Sequence, residues 1–297
     1  MKFFQFTQAN ETKLGIKSKN RHIDLEAALQ TYPEKELPHS LSGYMDGGAG
    51  PLAMLTDYIA KLPNDSSYIL DETTITWAPA ITQPEKILCV GLNYKKHADE
   101  TKAAYPKAPV IFNKFNNALS GHQANVAIPA TTKRLDHEVE LGIIIGKKAK
   151  HIKEADALDY VFGYVTTNDL SARDTQKSSP QWTLAKSSDG FAPVGPYLVT
   201  KDEVADPNNL RVTTTVGEEV RQDSNTKDMI FSCEAIIAYL SNYMTLQPGD
   251  LIMTGTPEGV IIGKQPRESR VYLVAGDSVT VEVEGLGALT SHFIAEK

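Results

Sequence analysis

The chain of 297 residues contains 41% hydrophobic and 23% charged residues, which is ordinary for a globular protein. Its formal net charge of −7 argues against a nucleic-acid partner, because proteins that bind nucleic acids usually carry a basic surplus. No apolar run approaches the roughly 20 residues that span a bilayer, so we expect no membrane partner.

The cysteine content and the N-terminus bear on the cellular compartment. Cys89 and Cys233 form no cluster, which disfavours a disulfide framework and a zinc site and favours two small buried residues. The first residues, MKFFQFTQANET, contain no apolar stretch typical of a secretory signal. We therefore expect a reducing, cytoplasmic location.

Residues 1–80 are predicted to form a small N-terminal α/β domain. Two short strands, MKFFQFTQ and KLGIKSK, precede a helix in IDLEAALQTY, for which Asp24 is a suitable N-cap. SGYMDGGAGP is interpreted as a glycine-rich break, and GPLAMLTDYIAKL as a second helix. The segment contains no cluster of catalytic residue types.

Residues 84–297 are predicted to form a strand-rich α+β domain. Candidate strands punctuated by glycine and proline are KILCVGLN, APVIFNKF, HEVELGIIIG, VFGYVTTND, RVTTTVG, DLIMTGTP and DSVTVEVEGLG. One helix is predicted in MIFSCEAIIAYLSNYM, where apolar residues recur at helical spacing. This order favours α+β over alternating βαβ units.

The stretch DHEVELGIIIG carries two carboxylates at the start of an apolar strand. Because side chains alternate between the faces of a strand, Glu138 and Glu140 share one face while Val139 and Leu141 share the other. Two unpaired carboxylates this close repel each other, and a divalent cation between them removes the conflict. The alternative is a solvated strand end with two ordinary glutamates.

A third carboxylate favours the metal site. Asp169 ends the strand in FGYVTTNDLSARD, and with Glu138 and Glu140 it would complete an all-oxygen site. Mg²⁺ or Mn²⁺ suits such ligands, with Ca²⁺ as a further candidate. Asp174 is a competing ligand, although its neighbour Arg173 suggests a local ion pair.

Several motifs in order resemble the fumarylacetoacetate hydrolase family across roughly residues 84–293. They are KILCVGLNYKKHADET, DHEVELGIIIG, FGYVTTNDLSARDTQ, QWTLAKSSDGFAPVGPYLVT, QDSNTKDMIF, LQPGDLIMTGTPEGV and GDSVTVEVEGLG. The resemblance implies a catalytic domain of mixed β-sandwich or β-roll type and a homodimer. It also implies a metal-dependent enzyme that acts on a small 2-oxo or 1,3-dicarbonyl acid, with Glu138, Glu140 and Asp169 as metal ligands.

The resemblance assigns catalysis to His97 and Glu100 in NYKKHADET. On one helical turn the two would face each other, and the carboxylate would orient the imidazole and raise its basicity. In the family this pair activates water from a mobile segment that covers the site. Without the family, a surface helical turn is the favoured interpretation of these two residues.

Four further residues match polar contacts of the family or offer suitable donors. Lys186 and Arg173 could stabilise a substrate carboxylate or a developing oxyanion, and Gln176 accompanies them. Thr256, in TGTPEGV, could present its hydroxyl to a carboxylate. The alternatives are pairing of Arg173 with Asp174, a turn hydrogen bond for Gln176, and a turn that needs glycine for backbone reasons around Thr256.

The sequence therefore predicts a hydrolase that cleaves a carbon–carbon bond in a 2,4-dioxo acid similar to an acylpyruvate or fumarylacetoacetate. The metal would chelate the 2-oxo acid, and His97 with Glu100 would activate water. The alternative is a decarboxylase of oxaloacetate-type acids or an isomerase of the 2-hydroxymuconate type that uses the same site.

Overall fold

The computed structural model describes residues 1–296, so Lys297, the last residue of the predicted second domain, lies outside it. The strands are β1 Lys2–Gln8, β2 Glu11–Ser18, β3 Arg21–Asp24, β4 Ile69–Leu70, β5 Ile87–Gly91, β6 Val110–Lys114, β7 Leu119–Ser120, β8 Ala124–Ile128, β9 Leu135–Asp136, β10 Val139–Ile145, β11 Val161–Asn168, β12 Ser171–Ala172, β13 Ala192–Thr200, β14 Arg211–Val216, β15 Glu219–Asn225, β16 Leu251–Met253, β17 Ser278–Val283 and β18 Gly287–Ala295. The helices are α1 Leu25–Thr31, α2 Leu41–Gly47, α3 Ala49–Lys61, α4 Lys95–Thr101, α5 Arg173–Gln176, α6 Thr183–Lys186 and α7 Cys233–Tyr243.

Two open sheets carry the fold, which confirms the predicted strand-rich α+β class. The larger sheet has the order β4-β3-β2-β1-β13-β11-β10-β16-β5-β6, and β7 pairs with β13. The smaller sheet has the order β15-β14-β17-β18-β8. Strands β12 and β9 form a separate two-stranded sheet. Most neighbouring strands are antiparallel, whereas β16 with β5, β18 with β8 and β7 with β13 are parallel.

Strand β10 lies in the interior of the larger sheet and is buried on both faces. Leu141, Ile143 and Ile145 belong to one apolar cluster, which also contains residues of the smaller sheet and of α7. Ile144, one residue out of phase, belongs to a second apolar cluster. The alternation along this strand therefore divides its side chains between two cores.

The first segment follows its predicted elements with one correction. The Asp24 side chain caps α1 by accepting a hydrogen bond from Ala27 N at 3.1 Å. The predicted glycine-rich break is wrong, because α2 begins there at Leu41 after Ser40, whose hydroxyl accepts a hydrogen bond from Gly43 N. Leu41, with Tyr44 and Met45, buries one face of this helix.

The second apolar cluster joins both predicted segments. It contains Phe3 and Ile16 of the first segment together with Phe162, Leu198 and Met253 of the second. Backbone pairing continues across the same boundary, since β1 of the first segment pairs with β13. The division near residues 80–84 stays a prediction.

Helix α7 begins at Cys233, later than the apolar pattern alone indicated, with Ser232 as its N-cap. Cys89 and Cys233 are both buried free thiols, as expected. Within residues 1–296, no helix combines the length and apolar character needed to cross a membrane.

Candidate active site

The register of β10 and β11 brings three carboxylates together. Val139 pairs with Asn168 in this antiparallel ladder, and Asp169 N then donates to the Glu138 carbonyl at 2.9 Å. Opposite residues of a ladder share a face, so the side chain of Asp169 joins Glu138 and Glu140. One oxygen of each carboxylate lies within 4.8 Å of one oxygen of the other two, and all three residues are buried.

Two of the three carboxylates contact buried cations. Lys186 Nζ lies 2.7 Å from Glu138 Oε2 and 2.5 Å from Asp169 Oδ2. Arg173 Nη2 lies 2.5 Å from Glu138 Oε1, and Lys114 Nζ contacts Asp169 Oδ1. Within residues 1–296, Glu140 forms no ion pair; its Oε2 accepts a hydrogen bond from Gly255 N at 2.9 Å.

These contacts separate the pKa values of the two glutamates. Burial favours the protonated form of Glu138, but Lys186 and Arg173 outweigh it and hold its pKa well below the usual range. Burial and the charges of Asp169 and Glu138 raise the pKa of Glu140 well above the usual range. Burial would lower the pKa of Lys186, but the two carboxylates outweigh it and raise that pKa to about 12.

The carboxylate cluster fits a hard divalent cation. Its donor set consists of carboxylate oxygens alone, which suits Mg²⁺ or Mn²⁺ better than zinc. Burial and the neighbouring carboxylates Asp169 and Glu138 raise the pKa of Glu140, so the charged form is disfavoured without a further cation. A divalent cation bound between the three residues would favour the charged form of all three carboxylates.

His97 and Glu100 lie one turn apart on α4 and contact each other. His97 Nδ1 lies 2.8 Å from Glu100 Oε1, and His97 is buried. An ionised carboxylate only accepts hydrogen bonds, so Nδ1 is the donor, and in the neutral imidazole Nε2 then holds the lone pair. The other carboxylate oxygen, Oε2, accepts a hydrogen bond from Gly259 N at 3.0 Å. The pair therefore has the arrangement of an oriented general base.

One cavity of about 200 Å³ joins the carboxylate cluster to His97. Of the nine residues predicted for the site, every one except Glu100 lines this cavity. Apolar side chains form its remaining wall, among them Phe112, Trp182 and Ile262. Polar groups and an apolar wall in one small cavity are typical of a site for a small ligand.

Arg173 does not pair with Asp174, so that alternative is wrong. Its Nε lies 2.8 Å from Asp136 Oδ2, and its Nη1 donates to Gln176 Oε1 at 3.0 Å. Asp174 instead accepts a hydrogen bond from Lys133 N at 2.8 Å. Because its oxygen faces Arg173, Gln176 keeps its amide NH₂ group for another acceptor.

The remaining predicted contact, Thr256, is buried and held by a remote side chain. Gln222 Nε2 on β15 lies 2.9 Å from Thr256 Oγ1. The same Gln222 accepts a hydrogen bond from Val139 N, between the two glutamates, at 3.1 Å. Gln222 therefore ties the loop after β16 to the strand that carries the carboxylates.

Sequence reasoning missed two buried charged residues of this site, Lys114 and Asp136. Lys114 ends β6 with its ammonium fully buried, and Asp136 accepts hydrogen bonds from Ile261 N and Ile262 N as well as from Arg173. The sequence signal that could have identified them is a charged residue next to the apolar residues of a predicted strand. Such a residue is expected to be buried and therefore to need a partner of opposite charge.

The chain is similar to known proteins over its whole length. The model of the family described as "Fumarylacetoacetate (FAA) hydrolase C-terminal" matches residues 86–294. "Oxaloacetate tautomerase FAHD2A, mitochondrial" from Bos taurus is 39% identical over 98% of this chain and 90% of its own. The expected cytoplasmic location is wrong on this finding, because that relative is named a mitochondrial protein.

Two solved structures cover all of this chain and are fully covered by it. Fumarylacetoacetate hydrolase from Exiguobacterium antarcticum is 33% identical with a TM-score of 0.82. Maleylpyruvate hydrolase from Sphingobium sp. SYK-6, in complex with a manganese(II) ion and pyruvate, is 28% identical with a TM-score of 0.80. Together with the family match and the motifs in order, they show that the chain belongs to the fumarylacetoacetate hydrolase family.

Proposed function

We propose that the chain is a divalent-metal-dependent enzyme that interconverts the keto and enol forms of a short 2-oxo dicarboxylic acid of the oxaloacetate class. The proposal rests on one observation above all: His97 and the three carboxylates line the same cavity of about 200 Å³. That volume is below the roughly 300–1,000 Å³ of pockets for drug-sized ligands, which favours a substrate of few atoms. The reaction named for the bovine relative supports the same assignment.

The protein's own residues supply the proton transfer. His97 Nε2 takes a proton from the carbon beside the carbonyl, and Glu100 stabilises the imidazolium that forms. Lys186 uses two of its three N–H groups on Glu138 and Asp169, which leaves one for the substrate oxygen on which negative charge develops. Transfer of this proton from His97 to that oxygen completes the enol, and the same steps in reverse restore the keto form.

The other groups bind and orient the substrate. A divalent cation held by Glu138, Glu140 and Asp169 would chelate the 2-oxo acid and act as a Lewis acid on its carbonyl. The Gln176 amide and the Thr256 hydroxyl donate to carboxylate oxygens, and Arg173 adds positive charge beside them. The apolar wall limits access of water to the reacting carbon.

The same His97–Glu100 pair favours a second candidate, hydrolysis of a 2,4-dioxo acid. A base oriented by a carboxylate can take a proton from water as well as from carbon. Water would then attack the distal carbonyl, and the carbon–carbon bond would break with the electron pair leaving as an enolate.

A small substrate panel separates the two functions. With Mn²⁺ or Mg²⁺, we expect the enzyme to accelerate loss of the ultraviolet absorbance of enol-oxaloacetate beyond the rate with metal alone. Coupled assays for pyruvate report decarboxylation of oxaloacetate and cleavage of acetylpyruvate. Cleavage of acetylpyruvate without accelerated tautomerisation would overturn the proposal in favour of hydrolysis.

Two variants test the assigned roles. Glu138→Gln should weaken Mn²⁺ binding in calorimetry and abolish turnover. His97→Gln should keep Mn²⁺ binding and lower kcat by about 10²–10⁴, the usual contribution of a general base. His39→Gln, at an exposed position, is the matched control. Full activity of His97→Gln would refute the base assignment.

A further inference from the structure

The carboxylate of Glu100 has a defined seat between α4 and the loop that follows β16. One oxygen contacts His97 Nδ1 at 2.8 Å, and the other accepts the Gly259 N–H at 3.0 Å. Both oxygens thus have a partner, so the plane of the carboxylate is fixed from two sides. The direction in which Glu100 holds the imidazole depends on this loop as well as on α4.

Gly263 lies directly against the carboxylate of Glu100, in the space between α4 and the loop. A Cβ atom built on Gly263 would lie 2.3 Å from the carboxyl carbon of Glu100 and within 2.6 Å of both its oxygens. Protein Cβ atoms do not approach other heavy atoms so closely. Gly263 ends the 3₁₀ turn Ile261–Gly263 without the positive φ that would itself require glycine. Space for the carboxylate therefore accounts for the glycine here.

The loop that forms the seat is also fixed to the carboxylate cluster. Gly255 N donates to Glu140 Oε2 at 2.9 Å, and Ile261 N and Ile262 N donate to the two oxygens of Asp136 at 2.8 and 3.0 Å. Asp136 in turn contacts Arg173, which contacts Glu138. The loop therefore transmits the position of the cluster to Glu100.

We propose that Gly263 is a positioning residue, which acts through Glu100 to align His97 with the reacting carbon. This inference rests on the proposed function for its kinetic consequence and on the geometry of the seat for its structural consequence. An alanine at 263 pushes the carboxylate away, because the end of a side chain yields more easily than the backbone. Both the contact with His97 and the hydrogen bond from Gly259 N then lengthen.

Gly263→Ala is the first test. We expect kcat to fall by about 10–100-fold, since a displacement near 1 Å in a catalytic arrangement can cost about 10²-fold. KM and the Kd for Mn²⁺ should change less than about threefold, because the metal ligands and the substrate contacts remain. Gly50→Ala is the control, since a Cβ there meets no atom within 4 Å. Unchanged kcat in Gly263→Ala would overturn the proposal, as would an equal loss in Gly50→Ala.

A double-mutant cycle with Glu100→Ala shows whether the effect passes through Glu100. In that background the carboxylate is gone, so Gly263→Ala should lower neither kcat nor Tm further. With Glu100 present, the same change should lower Tm as well as kcat. A further loss in the Glu100→Ala background would refute the assigned route.

The two measurements separate the inference from the proposed function. If the wild type turns over none of the substrates of the panel, the proposed function is wrong. The double-mutant cycle measured by Tm still shows whether Gly263 holds the carboxylate of Glu100 in place. If the wild type is active and the effects of Gly263→Ala and Glu100→Ala on both kcat and Tm are additive, Gly263 does not act through Glu100. The proposed function is then unaffected.

Discussion

Lys114 is held in the site by three acceptors. Its Nζ contacts Asp169 Oδ1 and lies 2.7 Å from the carbonyl of Phe191 and 3.4 Å from that of Leu170. The ammonium is fully buried, and so is the Asp169 carboxylate. A buried pair contributes little over an apolar pair, but without Lys114 the Asp169 carboxylate would keep only Lys186, which it shares with Glu138, as a cation among the described residues.

Replacement of Lys114 by methionine should therefore destabilise the metal-free protein by about 1–3 kcal/mol, less than the roughly 3–5 kcal/mol of a fully broken buried pair, because Lys186 remains beside Asp169. Urea unfolding in the presence of a chelator measures this loss. Added Mn²⁺ should restore part of it, because a cation beside Asp169 compensates the charge again. Lys147→Met, at an exposed position, is the control. Equal stability of the two variants would contradict the assigned role of Lys114.

His122 gives a pH dependence that lies outside the site. Burial lowers the pKa of His122 to about 4, and its Nδ1 accepts a hydrogen bond from Thr290 N at 3.1 Å. In the unfolded chain a histidine titrates near 6.5, so between about 6.5 and 4 only the unfolded state takes up this proton. Stability is therefore complete above the unfolded pKa and falls as the pH decreases through this window.

The protonation of His122 in the unfolded chain should lower the free energy of unfolding by about 1–2 kcal/mol at pH 4 relative to pH 7. This is less than the whole pKa difference would give, because the ring is partly exposed. Unfolding free energies of wild type and His122→Gln, measured between pH 7 and pH 4, test it. The wild type should lose more stability than His122→Gln over that range, whereas exposed His39→Gln should follow the wild type. Parallel curves for wild type and His122→Gln would exclude the effect.

The candidate site was predictable as far as local periodicity extends. Alternation along one strand indicated that Glu138 and Glu140 share a face, and helical spacing indicated that His97 could meet Glu100. Lys114 and Asp136 take their roles from contacts between residues 37 to 55 positions apart, such as Asp136 with Arg173 and Lys114 with Asp169. Periodicity contains no information about such pairs.

At the scale of elements, α2 shows where composition misleads. Glycine costs about 1 kcal/mol per residue in a helix interior, which favours the interpretation of SGYMDGG as a break. Leu41, Tyr44 and Met45 nevertheless recur at helical spacing, and their burial outweighs the cost. The apolar strands were predictable because burial and local propensity agree there.

The short segment around α6 controls the size of the cavity. Trp182 precedes α6 and packs edge-on against Phe112, with ring centroids 5.4 Å apart. A Cβ on Gly91 would lie 2.5 Å from the Trp182 ring, so the glycine makes room for the indole. The indole thereby closes one side of the cavity.

Trp182→Ala should therefore shift the preference toward longer 2-oxo acids. The ratio of kcat/KM for a six-carbon to a four-carbon 2-oxo dicarboxylic acid should rise about tenfold, the usual scale for methylene groups in an apolar pocket. Leu184→Ala, on the exposed side of α6, controls for disturbance of the segment. An unchanged ratio would show that the indole does not limit substrate length.

For the whole molecule, the central question is whether residues 1–80 fold as a separate unit. Their composition and the absence of catalytic residue types indicated a small domain. The larger sheet nevertheless runs through β1 into β13 and β11, the partner of β10, which carries Glu140 and begins directly after Glu138. One apolar cluster also contains side chains from both segments. Shared burial of this kind couples the unfolding of the two segments.

The two tryptophans allow a direct test, because one lies in each segment. Trp77 packs against Phe4, His22 and Tyr197, whereas Trp182 lines the cavity. In Trp182→Phe the fluorescence reports the first segment, and in Trp77→Phe it reports the second. Circular dichroism gives the midpoint of global unfolding for each variant, so the fluorescence midpoint is compared within the same variant and not with the wild type.

We expect fluorescence and circular dichroism to give the same urea midpoint within each variant, as two-state unfolding requires. Separation of the first segment would remove one of the strands that pair with β13 and expose the apolar side chains of the shared cluster, so it should not precede global unfolding. An earlier fluorescence transition in Trp182→Phe would instead show that residues 1–80 unfold alone. The predicted boundary near residues 80–84 would then mark two domains, and the shared cluster would be an interface between them rather than one core.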